Sequence, residues 1–356
     1  MLRAGLVGCG KIADGHAEQI RAVGRAELVA VCDSEPLMAE QMGLRHHVSG
    51  RYSDLATMLE AERLDVLHVA TPPDSHLAIA GRALQSGAHL FIEKPFALTA
   101  EDAASIFALG NQQDRRIAVN YLYNFEGVGL QLDQLVRSGE LGEIVHVDCH
   151  YGYDLAGAYG LAVLSDPGHW VHRLPGKLFH NVLDHVLSKF VGWVDDNFRL
   201  KTMAFRQRPA TGVAAIDEMP DELRLLLHSG SLTADVKISA HGRPVAHWLK
   251  VVGTRRSVEV DYSARTLVFT ACQTQPSAIG RLFPAWVQSA RYARNGLRNA
   301  ALFGRSRFHY FDGMRTLLDR FYDAIEASRP LPTPARDVVR VCRIIDAIVA
   351  DLKAQP

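Results

Sequence analysis

The sequence predicts an α/β protein with two domains: a doubly wound parallel sheet, then a second domain dominated by a mostly antiparallel sheet. Three observations carry this. Strand and helix patterns alternate through the first 120 or so residues, which gives βαβ units and a parallel sheet. Consecutive strand-like runs then follow one another with little helix between them, as in antiparallel sheets. The length, 356 residues, suits two domains. The boundary is placed between residues 122 and 123, with the C-terminal helices able to pack back on the first domain.

The elements run in order. LRAGLV (2–7) is a short apolar strand ending in G-C-G, and 14–23 carries helical spacing. ELVAVCD (27–33) is a second strand, and LDVLHVATPP (64–73) a third, stopped by two prolines. Residues 75–87 read as a helix with Gly87 as its C-terminal stop. HLFIEKP (89–95) is a fourth strand and RIAVNYLYN (116–124) a fifth. Between them, 98–113 is a helix opened by Thr99, with Asp102 three residues on. A helix spans 126–138. FRLKTMAFR, LRLLLHSGSLTADVKISAH, HWLKVVGTRRSVEVDY and TLVFTA then read as strands. Two helices close the chain, the last expected to start with Thr333 as N-cap and Pro334 at N1.

Composition narrows the classes. Hydrophobic residues make up 48% and charged residues 22%, which fits a folded chain and argues against wholesale disorder. Lys+Arg and Asp+Glu both number 39, so bulk charge offers nothing to a nucleic acid. Five cysteines lie at 9, 32, 149, 272 and 342 without a C-x-x-C pair, so a reducing compartment is expected rather than a disulfide framework. No apolar run approaches the roughly 18 residues of a membrane span. The opening MLRAGLVGCGKI reads as a strand rather than a leader, and the expected location is cytoplasmic.

Residues 8–13, G-C-G-K-I-A, fit the G-x-G-x-x-G/A turn between a strand and a helix. In such a turn Gly8 allows the tight bend, Gly10 lets backbone approach a pyrophosphate, and Ala13 permits close helix packing, with Lys11 and Ile12 between them. Asp33 ends the second strand, where a carboxylate can accept from ribose hydroxyls and repel a 2′-phosphate. NAD is therefore expected rather than NADP. A helix cap or surface turn is the plainer role for Asp33. FIEKPF (91–96) puts Glu93, Lys94 and Pro95 at a strand's carboxyl end, where ligands bind in doubly wound sheets.

The stretch VATPPDSHLAIAGRALQSGAHLFIEKPFALTAEDA resembles the Gfo/Idh/MocA family of glucose–fructose oxidoreductase and inositol dehydrogenase. The resemblance continues through LVRSGELGEIVHV and the C-terminal FYDAIEASRPLPTPARDVVRVCRIIDAI, while 150–175 and 262–311 stand apart. It implies a Rossmann domain, a second α/β domain on a large open sheet, and homo-oligomers through that sheet. It also implies NAD(P)-dependent oxidation or reduction of a small sugar, sugar nucleotide or polyol, without metal. Cofactor contacts are then expected from Gly8, Gly10, Lys11, Ile12, Ala13, Asp33, Thr71, Pro72, His76, Glu93, Lys94 and Asn120.

The family commonly carries Asp-x-x-x-His on a second-domain helix. In LPGKLFHNVLDHVLSKF the histidine falls on His185, and Asn181 stands where aspartate is usual. The two are one helical turn apart on one face. Asp184 is not a substitute, since it points about 100° away from its neighbour His185. The expectation is that Lys94 and His185 handle the proton and Asn181 positions substrate. A buried structural histidine is the alternative for His185. Tyr121, Tyr123, Trp170, His172 and Arg173 are candidates for holding a sugar ring. The histidines at 169, 172, 180 and 185 match no metal-ligand spacing. The missing aspartate keeps two other classes in view: an NAD-binding regulator or scaffold, and a glycosidase acting through transient oxidation.

From Tyr262 to Phe311 there is no Asp or Glu, and arginines stand at 265, 281, 291, 294, 298, 305 and 307 among aromatic and aliphatic residues. Two readings follow. Residues 281–307 are a basic surface helix for anionic lipid or phosphate, or they are a solvated insertion or oligomer contact, the reading preferred on sequence.

Overall fold

The computed structural model describes residues 1–271, 278–305 and 308–355. Cys272 and Arg307 lie outside the described residues. The chain falls into two units, residues 1–122 with 313–346, and residues 123–312 with 347–356.

In the first unit the order is β1 (Leu2–Val7), α1 (Ala13–Val23), β2 (Ala26–Cys32), α2 (Pro36–His46), β3 (Gly50–Tyr52), α3 (Leu55–Ala61), β4 (Val66–Val69), α4 (His76–Gln85), β5 (His89–Ile92), α5 (Ala100–Gln112) and β6 (Ile117–Val119). All six strands are parallel, in the order β3-β2-β1-β4-β5-β6. Connections leave β1 toward one edge and β4 toward the other, so the order reverses between these two strands. Small residues let α1 sit close on the sheet. Ala13 and Ala17 pack with Leu6, Cys9 and Val31 in one buried cluster. Thr99 caps α5 as expected, its hydroxyl accepting from the Asp102 N–H at 3.0 Å.

Several boundaries differ from the sequence reading. α2, β3 and α3 were not expected; the strand among them is only three residues long. β4 ends at Val69 and β5 at Ile92, so TPP and EKP are loops rather than strand ends. β6 ends at Val119, and Leu122–Phe125 forms a 3-10 turn. Gly87 lies one residue beyond the cap, with φ +92°.

The second unit contains α6 (Gly127–Arg137), β7 (Ile144–Gly152), α7 (Ala158–Ser165), α8 (Lys177–Leu187), β8 (Phe198–Phe205), α9 (Ala214–Asp217), β9 (Glu222–Ser229), β10 (Leu232–Ser239), β11 (His247–Gly253), β12 (Ser257–Asp261), β13 (Thr266–Phe269) and α10 (Ala278–Gly304). Its seven strands run β13-β12-β11-β7-β10-β9-β8, antiparallel except where β7 meets β10. The period of two is strict on one face. Leu223, Leu225 and Leu227 of β9 are buried with Ala234, Val236 and Ile238 of β10, Val147 and Cys149 of β7, and Leu249 and Val251 of β11. A one-residue slip would turn this whole set outward, so the pattern holds the register. α11 (Asp312–Ala327) and α12 (Ala335–Lys353) complete the chain. α12 begins one residue later than expected, with the Pro334 carbonyl accepting from Asp337 and Val338.

Candidate functional site

In the first unit the loops at the carboxyl ends of β1, β2, β4, β5 and β6 carry the candidate residues. Gly8 takes φ +89°, and a Cβ there would meet the Ala70 carbonyl carbon and oxygen at 2.7 Å. Only glycine fits that approach. Gly10 differs, since a Cβ would have no atom of the described residues within 4 Å beyond its two chain neighbours. The protein itself does not require glycine at this position, so open space is left before the start of α1. Lys11 is exposed there and Ile12 half-buried, next to buried Ala13. Asp33 secures the turn: Oδ2 accepts from the Cys9 N–H at 2.7 Å, and Oδ1 accepts from Glu35 N–H at 2.9 Å. Each oxygen keeps a second lone-pair direction for a hydroxyl. This loop geometry fits a dinucleotide: a positive-φ turn, free room at the second glycine, and a carboxylate at the second strand's end.

Thr71 and Pro72 are half-buried after β4, with Thr71 Oγ1 2.7 Å from Ser75 Oγ. His76 is fully buried. Its Nε2 lies 2.9 Å from the Thr71 carbonyl and its Nδ1 2.9 Å from the Phe96 carbonyl. The ring therefore links the loop after β4 to the loop after β5 from behind. Burial holds its pKa below the ordinary value.

Glu93 sits at the centre of a network that the sequence reading missed. Its Oε1 accepts from Asn120 Nδ2 at 2.6 Å and lies 2.9 Å from His16 Nε2. His16 Nδ1 lies 3.0 Å from His68 Nδ1, and His68 Nε2 lies 2.8 Å from the Tyr322 hydroxyl. His16, His68 and Tyr322 are fully buried. One proton arrangement uses every donor. Tyr322 O–H donates to His68, His68 Nδ1–H donates to His16, and His16 Nε2–H donates to the ionised Glu93. Burial works to raise the Glu93 carboxyl, but the bonds from His16 and Asn120 and the nearby Lys94 charge outweigh it and lower the pKa. Burial, then His16, keeps His68 well below its ordinary value and so neutral. The other Glu93 oxygen accepts from the Lys94 N–H at 3.2 Å. Lys94 is half-buried, and its peptide bond to Pro95 is cis. Tyr121 is buried at the end of β6.

In the second unit α8 carries Asn181 and His185 on one face, and Lys189 follows one turn further. Asn181 is buried and hydrogen-bonds the Tyr159 hydroxyl. The His185 ring lies 5.0 Å from Tyr123 and 6.0 Å from Tyr151. Tyr123 and Tyr151 each lie 4.6 Å from His247, which stacks on Tyr262 at 4.9 Å. The Lys189 ammonium sits 4.9 Å from the centres of both the Tyr123 and the Tyr262 rings. It has no hydrogen-bond partner among the described residues, and burial lowers its pKa to about 8. Burial raises the neighbouring Glu126 to about 7. Burial thus brings Lys189 and the neighbouring Glu126 toward neutrality, a perturbation typical of functional-site candidates.

Trp170, His172 and Arg173 share one 3-10 turn. Trp170 stacks on His169 at 5.7 Å, His172 Nε2 lies 2.7 Å from the Val163 carbonyl, and Arg173 donates to the Gly168 carbonyl. His172 and Arg173 are thus tied to backbone in this segment. Among the described residues no group of three or more His, Cys, Asp or Glu could hold a metal ion.

Sequence reasoning missed His16, His68, Tyr322, Tyr159, Lys189 and Glu126. Two signals were available: His68 interrupts the apolar run VLHV, and Lys189 continues the four-residue spacing of 181 and 185.

Residues 2–121 match a family model described as an oxidoreductase family with an NAD-binding Rossmann fold. Among curated proteins, a D-apiose dehydrogenase of Paraburkholderia graminis is 30% identical over 140 residues, covering 39% of this chain and 37% of that protein. A D-glucoside 3-dehydrogenase of Escherichia coli is 33% identical over 144 residues, covering 40% of this chain and 41% of that protein. The chain thus spans about two fifths of the length of these relatives. Likeness in structure reaches further. The WlbA dehydrogenase of Bordetella pertussis, solved with NADH and UDP-GlcNAcA, superposes with a TM-score of 0.75 at 20% identity, over 99% of this chain and 95% of that one. The fold of both units is therefore shared with that protein, and residues 2–121 form a Rossmann fold of the kind the family model describes.

Proposed function

From the premise that residues 2–121 belong to the Gfo/Idh/MocA oxidoreductase family, we propose that the protein is an NAD-dependent oxidoreductase acting on a CH–OH group or carbonyl of a sugar, sugar nucleotide or polyol. The carrying observation is the buried Glu93 carboxylate, held ionised directly before Lys94 in the loop that follows the parallel strand β5. Such a loop, beyond a strand's carboxyl end, is where doubly wound sheets bind ligands.

Bound NAD would supply the hydride acceptor or donor. The chain's residues do the rest. Gly8, Gly10, Lys11, Ile12 and Ala13 hold the pyrophosphate, and Asp33 the adenosine ribose. Thr71, Pro72, Glu93, Lys94 and Asn120 border the nicotinamide end, and His76 supports their loops. Lys94 stabilises charge developing on the substrate oxygen, and His185 takes or returns the hydroxyl proton. General base catalysis of this kind typically contributes about 10²–10⁴-fold. Asn181 cannot act as a carboxylate base, so it positions a hydroxyl through its amide. Tyr121, Tyr123, Trp170, His172 and Arg173 shape the substrate side. No helix among the described residues is long and apolar enough to cross a membrane; a cytoplasmic location and a homo-oligomer belong to the same proposal.

The test is a screen of sugars, polyols and sugar nucleotides with NAD or NADH, following the absorbance of the reduced nicotinamide. Lys94→Ala should retain NAD binding and lose turnover. Full turnover in that variant would remove Lys94 from the chemistry. Product formed without net absorbance change would assign a glycosidase working through transient oxidation. Tight NAD binding without turnover on any substrate would assign a regulator.

A further inference from the structure

Helix α10 is mounted inside out. Surface helices of folded proteins turn their apolar stripe inward and their polar face to water. Here the inward stripe is polar, recurring at positions 288, 291, 295 and 299. The Gln288 amide oxygen accepts from Ala271 N–H, and Arg291 donates to the Phe269 carbonyl. Asn295 pairs with both N–H and carbonyl of Leu267 at 3.2 Å, and Asn299 donates to the Ala264 carbonyl. These bonds fasten the helix along β13, the edge strand of the sheet.

The opposite face is apolar and open. Leu282, Phe283, Trp286 and Leu297 are 60%, 57%, 70% and 74% exposed. Ala290 and Ala293 lie exposed between them. At about 100° per residue all six fall within one arc of about 100°, on the far side from the polar stripe. Arg294 and Arg298 are exposed along one flank of this arc. The stretch from Tyr262 to Phe311 contains no Asp or Glu, and Arg298 donates to the Gln131 amide oxygen at 2.7 Å.

We infer that this face of α10 lies flat in the headgroup layer of an anionic lipid surface. Charge selects this occupant. A second copy of the face would set arginine rows together without an acidic partner. Lipid phosphates neutralise them while Leu282, Phe283, Trp286 and Leu297 enter the acyl boundary. A basic flank beside a Trp/Phe/Leu face is the composition of interfacial helices. With no helix among the described residues long enough to cross, the contact is peripheral. It requires neither NAD nor substrate, so it stands apart from the proposed activity.

The full chain is sedimented with vesicles of phosphatidylcholine alone and of phosphatidylcholine with phosphatidylglycerol, in parallel with sedimentation velocity without lipid. Binding is expected only to the anionic vesicles, falling as salt is raised. Arg294→Gln with Arg298→Gln should weaken it about 25-fold, about fivefold per charge. Trp286→Ser with Leu297→Ser should abolish it without change in circular dichroism, since both side chains are exposed. The inference is overturned by failure of the wild type to pellet. It is equally overturned by pelleting that these variants or the lipid charge do not alter. A lipid-free oligomer that Trp286→Ser/Leu297→Ser breaks, with no vesicle binding, would assign the face to a second copy instead.

Discussion

His16 Nε2 lies 2.9 Å from Glu93 Oε1, joining the first helix of the chain to the loop after β5 that carries Lys94. Neither residue reaches water freely, and each is placed by further buried partners. A carboxylate in such a position must be hydrogen-bonded, because an unpaired buried charge is among the costliest features a fold can hold. The chain from Tyr322 through His68 and His16 meets that need, and Asn120 supplies a second bond to the same oxygen.

This chain predicts a stability effect at a residue far from Glu93 in sequence. Tyr322→Phe removes only a hydroxyl, yet it leaves His68 Nε2 without its donor. A buried group so orphaned costs about 1–3 kcal/mol. The urea midpoint should fall accordingly with an unchanged denaturant slope, whereas a midpoint equal to wild type would mean that the link carries no energy.

The two loop glycines should separate fold from ligand. In Gly8→Ala the new Cβ meets backbone at 2.7 Å in a positive-φ position, so thermal stability should fall clearly. In Gly10→Ala the new Cβ would have no atom of the described residues within 4 Å beyond its two chain neighbours. That variant should keep or slightly raise its Tm and bind NAD more weakly in calorimetry. Equal losses of stability at both positions would contradict the reading.

Lys189 and Glu126 yield opposite pH trends. The folded pKa of Lys189, about 8, is below its ordinary 10.5, so the folded protein binds fewer protons than the unfolded chain between these values. Stability from this group therefore rises with pH across that window, and the full penalty is present below pH 8. Lys189→Met should stabilise at pH 7 by up to about 3 kcal/mol, a gain that fades toward pH 10.5. Glu126, raised from 4.5 to about 7, binds its proton more tightly when folded. Its contribution falls as pH rises through that range, so Glu126→Gln should stabilise above pH 7 and do nothing below 4.5. Thermal melts across pH check both. If Lys189→Met also impairs turnover while raising Tm, the buried ammonium serves the site at the expense of the fold.

How much of this was legible follows from where the information lies in the chain. The glycine turn, the strand alternation and the Thr99 cap are local patterns, and they were readable. Asn181 and His185 share a helix turn, but they were singled out by the resemblance to the family's Asp-x-x-x-His helix; spacing alone showed only that they share a face. The Tyr322–His68–His16 chain was hidden because its members look like single polar residues in core segments and meet only through the sheet. His68 and Tyr322 are 254 residues apart. The short β3 offered too few residues to show a period. For α10 the composition was visible, but its orientation was not, because the expectation that apolar residues face inward is reversed there.

Asp33 bears on cofactor choice, and its bond to Cys9 sharpens the test. The carboxylate that would repel a 2′-phosphate also accepts from the N–H of the glycine loop. Asp33→Ser keeps a hydroxyl but removes the charge, so it should loosen the loop and relieve the repulsion together. NAD affinity should drop, NADP affinity should rise, and the ratio of the two dissociation constants should move by about tenfold or more, since about 1.4 kcal/mol is a factor of ten. Asp33→Asn separates the contributions. It retains an acceptor for the Cys9 N–H while losing the charge, so its loss of NAD affinity should be the smaller while its gain for NADP is similar. Calorimetric titration of both variants with NAD and NADP decides it, and an unchanged preference in both would mean that Asp33 only braces the turn.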